Sequence, residues 1–231
     1  MSSPQANPNP SSSPICSEMA EKIRVLIADD HAIVRQGFKQ IFSETEDLVV
    51  AGEADDGVDA LAIARQNEWD VFLLDISMPN RNGIDTLKQL KREFPKQPVL
   101  ILSMHPEEQY ALRALKAGAS GYLTKQSAPD QLVTAIRQVA RGKKYVSPGV
   151  AQQLAEAIAD DTEKLPHERI TDREYQVLVM IAQGKPLTQI ADELNLGVAT
   201  VSTYRARLLE KMGLKSTAEL IHYGLRHGLV D

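Results

Sequence analysis

Five side chains in the first 125 residues could do chemistry together. Asp29 and Asp30 follow the apolar run "IRVLIA", Asp75 closes "VFLLD", Ser103 closes "VLILS" and Lys125 closes "GYLTK". Three carboxylates held close repel one another and ask for a hard divalent cation. Mg²⁺ suits oxygen ligands of this kind and commonly serves phosphate. A carboxylate can also be the nucleophile, forming an acyl phosphate. Phosphoryl transfer then needs mainly positioning and neutralisation of the phosphoryl oxygens, which a metal and an ammonium supply. On this chemistry Asp75 is the phosphoryl acceptor, while Ser103 and Lys125 hold the phosphoryl oxygens. Each residue taken singly has a plainer reading: Asp29 and Asp30 as a helix N-cap, Ser103 as another cap, Lys125 as a solvated lysine. It is their common placement that argues for a site.

That placement depends on the elements. Residues 23–28, 48–54, 70–75, 98–103 and 120–125 read as strands, separated by helical patterns at 31–42, 58–66, 84–94 and 107–118. A last helix in this part starts from Ser127 as cap and runs to about 139, with Pro129 tolerated in its first turn. Strands alternating with helices predict a parallel sheet covered on both faces, which explains strands that are apolar throughout. Ligands of such open sheets bind beyond the carboxyl ends of the strands, where all five groups lie. Asp75 ends the third, central strand.

The chain changes character afterwards. Residues 147–169 read as a connector, with a short helix over "SPGVAQQLAEAIADD" and a polar hinge "TEKLPHER". From 170 onward only helices are predicted. Thr171 and Glu174 form a capping box for a helix that Gly184 ends; others cover 187–194 and 198–212, and Ser216 with Glu219 boxes the last, to about 225. The stretch "LTQIADELNLGVATVSTYRARLLEKM" has a helix-turn-helix rhythm, which a plain helical hairpin shares. On a helical wheel Val201, Leu208 and Met212 face the core, Thr203, Ala206 and Glu210 point away, and Ser202 and Arg207 flank the exposed side. A small, polar face of this kind can enter a major groove. Residues 166–231 carry eight Lys and Arg against eight Asp and Glu, so this part is formally neutral. The positive charge is nevertheless local, since Arg205, Arg207, Lys211 and Lys215 cluster against Glu210 alone. Phosphate anchoring needs only such a patch.

Bulk properties set limits on the function. With 231 residues, 43% hydrophobic and 25% charged, the chain is long enough for two ordinary globular domains. A net charge of −5 gives no global signal for nucleic acid or an anionic membrane. The lone Cys16 excludes an intramolecular disulfide framework and fits a reducing compartment. No apolar run reaches the roughly 18 residues of a membrane span. Residues 1–21, rich in Ser, Pro and Asn, are expected to be a disordered leader rather than a secretory signal.

The stretches "IADDH", "LLDISMPNRNGID", "ILSMH" and "GASGYLTK" resemble the receiver domain of bacterial two-component response regulators, over about residues 22–142. The resemblance implies that Asp30 and Asp75 ligate Mg²⁺ directly, together with the backbone carbonyl of Ser77, while Asp29 assists through water. It also implies that Tyr122 swings inward as Ser103 closes on the phosphoryl group, although a half-buried strand aromatic is an equal reading of Tyr122 alone. One departure is clear. Many receivers carry a cis proline after the lysine, whereas Gln126 follows Lys125 here. His31 and His105 flank the site and read as a helix-start and a loop histidine.

"ITDREYQVLVMIAQGKPLTQIADELNLGVATVSTYRARLLEKMGLKSTAELI" is similar to the C-terminal domain of NarL/FixJ (LuxR-type) regulators, whose third helix reads DNA and whose fourth makes dimer contacts. By that likeness Ser202, Thr203 and Ala206 face bases, with Ala206 limited to apolar contact such as a thymine methyl. Tyr204, where relatives often have His, lies near phosphates with Arg205 and Arg207, and Thr200 and Lys211 complete the contacting set. Together the resemblances imply an α/β, flavodoxin-like doubly wound (βα)5 receiver domain (22–142), a linker with a short helix (143–165) and a small all-α helix-turn-helix domain (166–231). They imply a cytoplasmic transcription regulator with a sensor histidine kinase, double-stranded DNA and a second phosphorylated copy as partners. RNA polymerase is a further candidate partner, Mg²⁺ is the cofactor, and no membrane is involved. The chain is expected not to be an enzyme beyond slow loss of its own phosphate. If the receiver lies over the face from Ser202 to Arg207 before phosphorylation, DNA is excluded until it moves. Two rival readings remain. An aspartyl-nucleophile phosphatase would want an acid at position 77, where this chain has Ser77. A phosphorylation-blind interaction module would show no Mg²⁺-dependent labelling.

Overall fold

The structure, a computed structural model, describes residues 22–127, 129–159 and 165–230. The expected leader 1–21 and the acidic end of the connector, 160–164, lie outside the described residues. Five strands, β1 (Ile23–Ala28), β2 (Leu48–Ala54), β3 (Val71–Asp75), β4 (Val99–Ser103) and β5 (Gly121–Thr124), form one sheet in the order β2-β1-β3-β4-β5. Every pairing is parallel. Strand order reverses at β1, so the crevice beyond the carboxyl ends of β1 and β3 is the switch point where a ligand site belongs.

Alternate residues of each strand feed two separate cores. Leu26, Ala28, Phe72, Leu74 and Ile101 point to one face, Val25, Ile27, Val71, Leu73 and Leu100 to the other. The second face is closed by α1 (Ala32–Ser43) and α5 (Pro129–Ala140), through Phe38, Phe42, Leu132 and Ile136. The first is closed by α2 (Gly57–Ala64), α3 (Gly83–Glu93) and α4 (Glu107–Lys116). Burial on both faces is why β3 and β4 could be apolar at every position before their polar ends.

The C-terminal helices are α7 (Asp172–Ala182), α8 (Leu187–Glu193), α9 (Val198–Met212) and α10 (Thr217–Arg226). They pack around Val177, Leu178, Ile190, Val201, Leu208 and Leu220, and that cluster is continuous with the α2–α4 side of the sheet. The two parts of the chain are therefore docked through apolar contact. Between them α6 (Pro148–Ala159) packs on α4, with Val150 buried at 3%. Within the expected polar hinge, Pro166–Glu168 forms a short 3-10 turn tied to the sheet domain. Two caps also differ from expectation. The helix expected to start from Ser127 begins at Pro129, and the Ser127 hydroxyl lies 3.2 Å from that of Thr124. Ser216 accepts from the Glu219 N–H, but the Glu219 carboxylate reaches past the cap to the Lys215 N–H at 2.8 Å.

Gly83 opens α3 against the end of β3. A Cβ there would collide with the Asp75 carbonyl, while its own N–H donates to the Ile76 carbonyl at 3.0 Å. Among the described residues, nothing lies within 4 Å of a Cβ added at Gly37, on the exposed side of α1. Urea denaturation should therefore show opposite signs. Gly83→Ala is expected to lose about 1–3 kcal/mol by overpacking, and Gly37→Ala to gain about 0.5–1 kcal/mol of helix propensity.

Candidate functional site

The sheet brings the five predicted groups to one crevice. Asp29 and Asp75 are 1% and 2% exposed and Ser103 is fully buried, whereas Asp30 stays at the surface. The Lys125 ammonium bridges the two buried acids, 2.6 Å from Asp29 Oδ2 and 2.8 Å from Asp75 Oδ2. Among the described residues, no group makes a well-formed hydrogen bond to the buried Asp75 Oδ1, although the Ser77 N–H acts on this carboxylate. Burial pushes the Asp75 carboxyl up; Lys125 opposes that, Asp29 adds to it, and the net direction is upward. Burial would lower the Lys125 ammonium, but the carboxylates of Asp75 and Asp29 outweigh it and raise it. Where many receivers carry proline, Gln126 does not spoil this geometry. The Lys125 N–H donates to the Ser103 carbonyl at 2.8 Å and fixes the start of the loop.

A divalent cation fits these donors. Asp29, Asp30, His31 and Asp75 each offer a ligand atom, all within 4.8 Å of one another. Three carboxylates against one ammonium leave two negative charges, and one Asp75 oxygen lacks a hydrogen-bond partner among the described residues. His31 occupies the cap position of α1 without a side-chain capping bond, its Nδ1 2.8 Å from Asp30 and 3.2 Å from Asp29. Tyr122 is buried, and its hydroxyl donates to the His105 carbonyl at 2.9 Å. The Ser77 hydroxyl lies 3.3 Å from His105 Nε2.

On the reading helix α9, the wheel is met: Val201, Leu208 and Met212 are buried, and Thr200, Ser202, Thr203, Ala206 and Arg207 are exposed. Two expected phosphate anchors are less free than the sequence suggested. Lys211 is pinned to both oxygens of the buried Glu174 carboxylate at 2.8 Å each, so Glu210 is not the only acid near that patch. Arg205 is half-buried, with Nη1 3.4 Å from the Thr217 hydroxyl.

Comparison with known proteins follows this geometry. The family described as the response regulator receiver domain matches residues 25–137, and that of bacterial regulatory proteins of the luxR family matches 168–224. The chain is 39% identical over 210 residues to response regulator GacA of Pseudomonas aeruginosa, spanning 90% of this chain and 98% of that one. This chain belongs to the response regulators. It is of the NarL/FixJ type, with a LuxR-family C-terminal domain. Response regulator UvrY of Escherichia coli is 36% identical over 210 residues, covering 90% of this chain and 96% of that one. Among solved structures, RcsB of Salmonella enterica serovar Typhimurium, bound to promoter P1flhDC with the phosphomimetic BeF3⁻, is 28% identical. It has a TM-score of 0.59 and covers 88% of this chain and 98% of that one.

In this response regulator the receiver grips the DNA-binding domain through charge that the sequence did not reveal. Asp172, 3% exposed at the start of α7, is held by Lys88 from α3 and Arg113 from α4. Arg113 also donates to the His167 and Ile170 carbonyls and lies over the Tyr175 ring, 4.6 Å from its centroid. Lys116 pairs with Glu168 at 3.0 Å, and the Tyr175 hydroxyl donates to the Gln109 carbonyl at 2.8 Å. Burial would raise the Asp172 carboxyl, but its bonds to Lys88 and Arg113 outweigh that and hold it low. The receiver approaches one edge of α9. Tyr204 shares a cleft of about 440 Å³ with Val58, Asn80, Arg81 and Asp85, while Ser202, Thr203 and Ala206 stay exposed.

His167 at this joint donates or accepts at Nδ1 with the Tyr223 hydroxyl, 2.8 Å away. Burial pushes its imidazole down from 6.5 to about 4; Glu168 opposes, while His227, Arg113 and Lys116 act in the same direction as burial. A depressed base favours the docked form only while neutral. That contribution should be complete above about pH 6.5 and be lost as pH falls toward 4. Urea midpoints across this window should decline with falling pH, and His167→Gln should flatten the decline.

Proposed function

We propose that this response regulator receives a phosphoryl group on Asp75 from a sensor histidine kinase and thereby gains dimerisation and sequence-specific binding to double-stranded DNA. The observation that carries the reading is Asp75 itself. One of its oxygens is on Lys125 and the other is buried without a hydrogen-bond partner among the described residues, in a chain that also bears a helix-turn-helix. Asp29, Asp30 and Asp75, with the Ser77 carbonyl, would hold Mg²⁺, which when bound neutralises phosphoryl oxygens and the crowded carboxylates. Lys125 and the Ser103 hydroxyl take the remaining phosphoryl oxygens, and Tyr122 follows Ser103. The chain is a phosphoacceptor rather than an enzyme that turns over substrate. We assign the receiver to 22–142, the linker to 143–165 and the DNA-binding domain to 166–231, in a cytoplasmic regulator that meets RNA polymerase at promoters. No helix among the described residues is long and apolar enough to cross a membrane.

Ser202, Thr203 and Ala206 would read bases, flanked by Thr200, Tyr204, Arg205 and Arg207. Lys211 serves Glu174 first, so it is the weakest member of the set. The docked receiver obstructs DNA at the Tyr204 edge, where phosphates would run, rather than by covering the base-facing side chains. Phosphorylation works by stabilising the undocked or dimeric state more than the docked one.

An acyl-phosphate donor with Mg²⁺ should add one phosphoryl group to Asp75, stable in acid, labile in alkali and absent from Asp75→Asn. Label persisting in that variant sinks the assignment. Arg113→Ala removes one of the two cations on the buried Asp172, together with the bonds to the His167 and Ile170 carbonyls, and should weaken docking by about 1–3 kcal/mol. Weaker docking favours domain separation, so the variant should bind DNA without phosphate; gel shifts that match the wild type would contradict the docked-receiver model. On DNA, Thr203→Ala should change base preference, whereas Arg207→Ala should weaken all sequences alike and lower the salt slope by about 1.

A further inference from the structure

His105 lies in the loop between β4 and α4, where the phosphoacceptor site meets the DNA-binding domain. Its N–H donates to the Ser103 hydroxyl at 3.1 Å, and its carbonyl accepts from the Tyr122 hydroxyl at 2.9 Å. Nε2 lies 3.3 Å from the Ser77 hydroxyl, which in turn is 3.5 Å from Nε2 of Gln176 on α7. The imidazole packs on Tyr110, with ring centroids 4.8 Å apart, and Tyr110 meets Tyr175 of α7 edge-on at 5.2 Å. One residue thus touches both switch side chains of the receiver and, through Tyr110 and Ser77, two neighbours on α7. No phosphoryl-binding role requires these last contacts.

We propose that His105 is the positioning residue that couples phosphorylation of Asp75 to release of the DNA-binding domain. The proposal rests on the phosphoacceptor reading above. A phosphoryl group on Asp75 draws the Ser103 hydroxyl toward its oxygens, and the hydrogen bond from the His105 N–H to that hydroxyl carries the loop with it. Tyr110 packs on the His105 imidazole and its buried hydroxyl has no hydrogen-bond partner among the described residues, so the ring is free of a polar anchor against a shift of its neighbour. The Tyr175 edge contact and the Gln176 contact are then lost together. The unpartnered Tyr110 hydroxyl biases the same step, since separation lets water reach a polar group that docking leaves unsatisfied.

The test uses the full chain, an acyl-phosphate donor with Mg²⁺, and a duplex selected from a random pool by the phosphorylated protein. The readout is the ratio of DNA affinities with and without donor, alongside the mass shift at Asp75. His105→Ala should keep the mass shift, raise the phosphate-free affinity and shrink the ratio by roughly 2- to 30-fold, the span of mutations that alter coupling. His105→Phe keeps a ring against Tyr110 but not the Ser77 contact. It should restore the phosphate-free affinity while the ratio stays reduced, a split that a purely structural role would not produce. Tyr175→Ala should shrink the ratio as well, and the double variant should shrink it no further. Normal labelling with a wild-type ratio in His105→Ala, or effects that multiply in the double variant, overturns the proposal alone. A wild-type chain that takes no label overturns the phosphoacceptor reading and this proposal with it.

Discussion

The structure is organised around an unbalanced charge. Asp29 and Asp75 are taken out of water at the carboxyl ends of β1 and β3, and a single lysine from the far side of the sheet stands between them. Buried charges persist only when paired, and here Asp75 Oδ1 lacks a hydrogen-bond partner among the described residues. Such a crevice fits a cation, and Lys125, Ser103 and the loops that carry them line it. The parallel sheet exists, in functional terms, to hold these strand ends in register.

The same loops form the floor on which the DNA-binding domain rests. Ser77 follows Asp75 by two residues and meets Gln176; α4 follows Ser103 and supplies Arg113 to Asp172 and to the backbone before α7. Docking is therefore built from elements that begin at the phosphoacceptor crevice, so no separate relay is needed across the receiver. It is also built from charge-assisted bonds on a buried acid, which hold strongly when complete and poorly when one partner leaves. That is a suitable material for a switch with two arrangements and little between them.

The fold and the acidic crevice were legible in the sequence for physical reasons. Strands buried on both faces leave unbroken apolar runs, and polar residues that end such runs mark the sheet edge where ligands gather. Helix α9 was legible from its wheel. The interdomain grip was not. Asp172 beside the Thr171 cap looks like any acid at a helix start, where it suits the helix dipole, and its partner Arg113 is 59 residues away, leaving no periodic trace. The Glu174 partner of Lys211 was hidden for the same reason, since it lies 37 residues distant while Glu210 is adjacent. The polar composition of the hinge "TEKLPHER" likewise leaves no trace of the receiver cations that hold its Pro166–Glu168 turn.

On the proposed mechanism, charge added at Asp75 undocks the DNA-binding domain. Intramolecular fluorescence energy transfer tests it most directly, with dyes on cysteines replacing exposed Ile33 and Leu225 and with Cys16 replaced by serine. Measured at single-molecule dilution, where dimers do not form, an acyl-phosphate donor with Mg²⁺ should lower transfer efficiency in the chain with Asp75 and leave Asp75→Asn unchanged. Unchanged transfer in molecules shown by mass to carry the phosphoryl group would contradict the account.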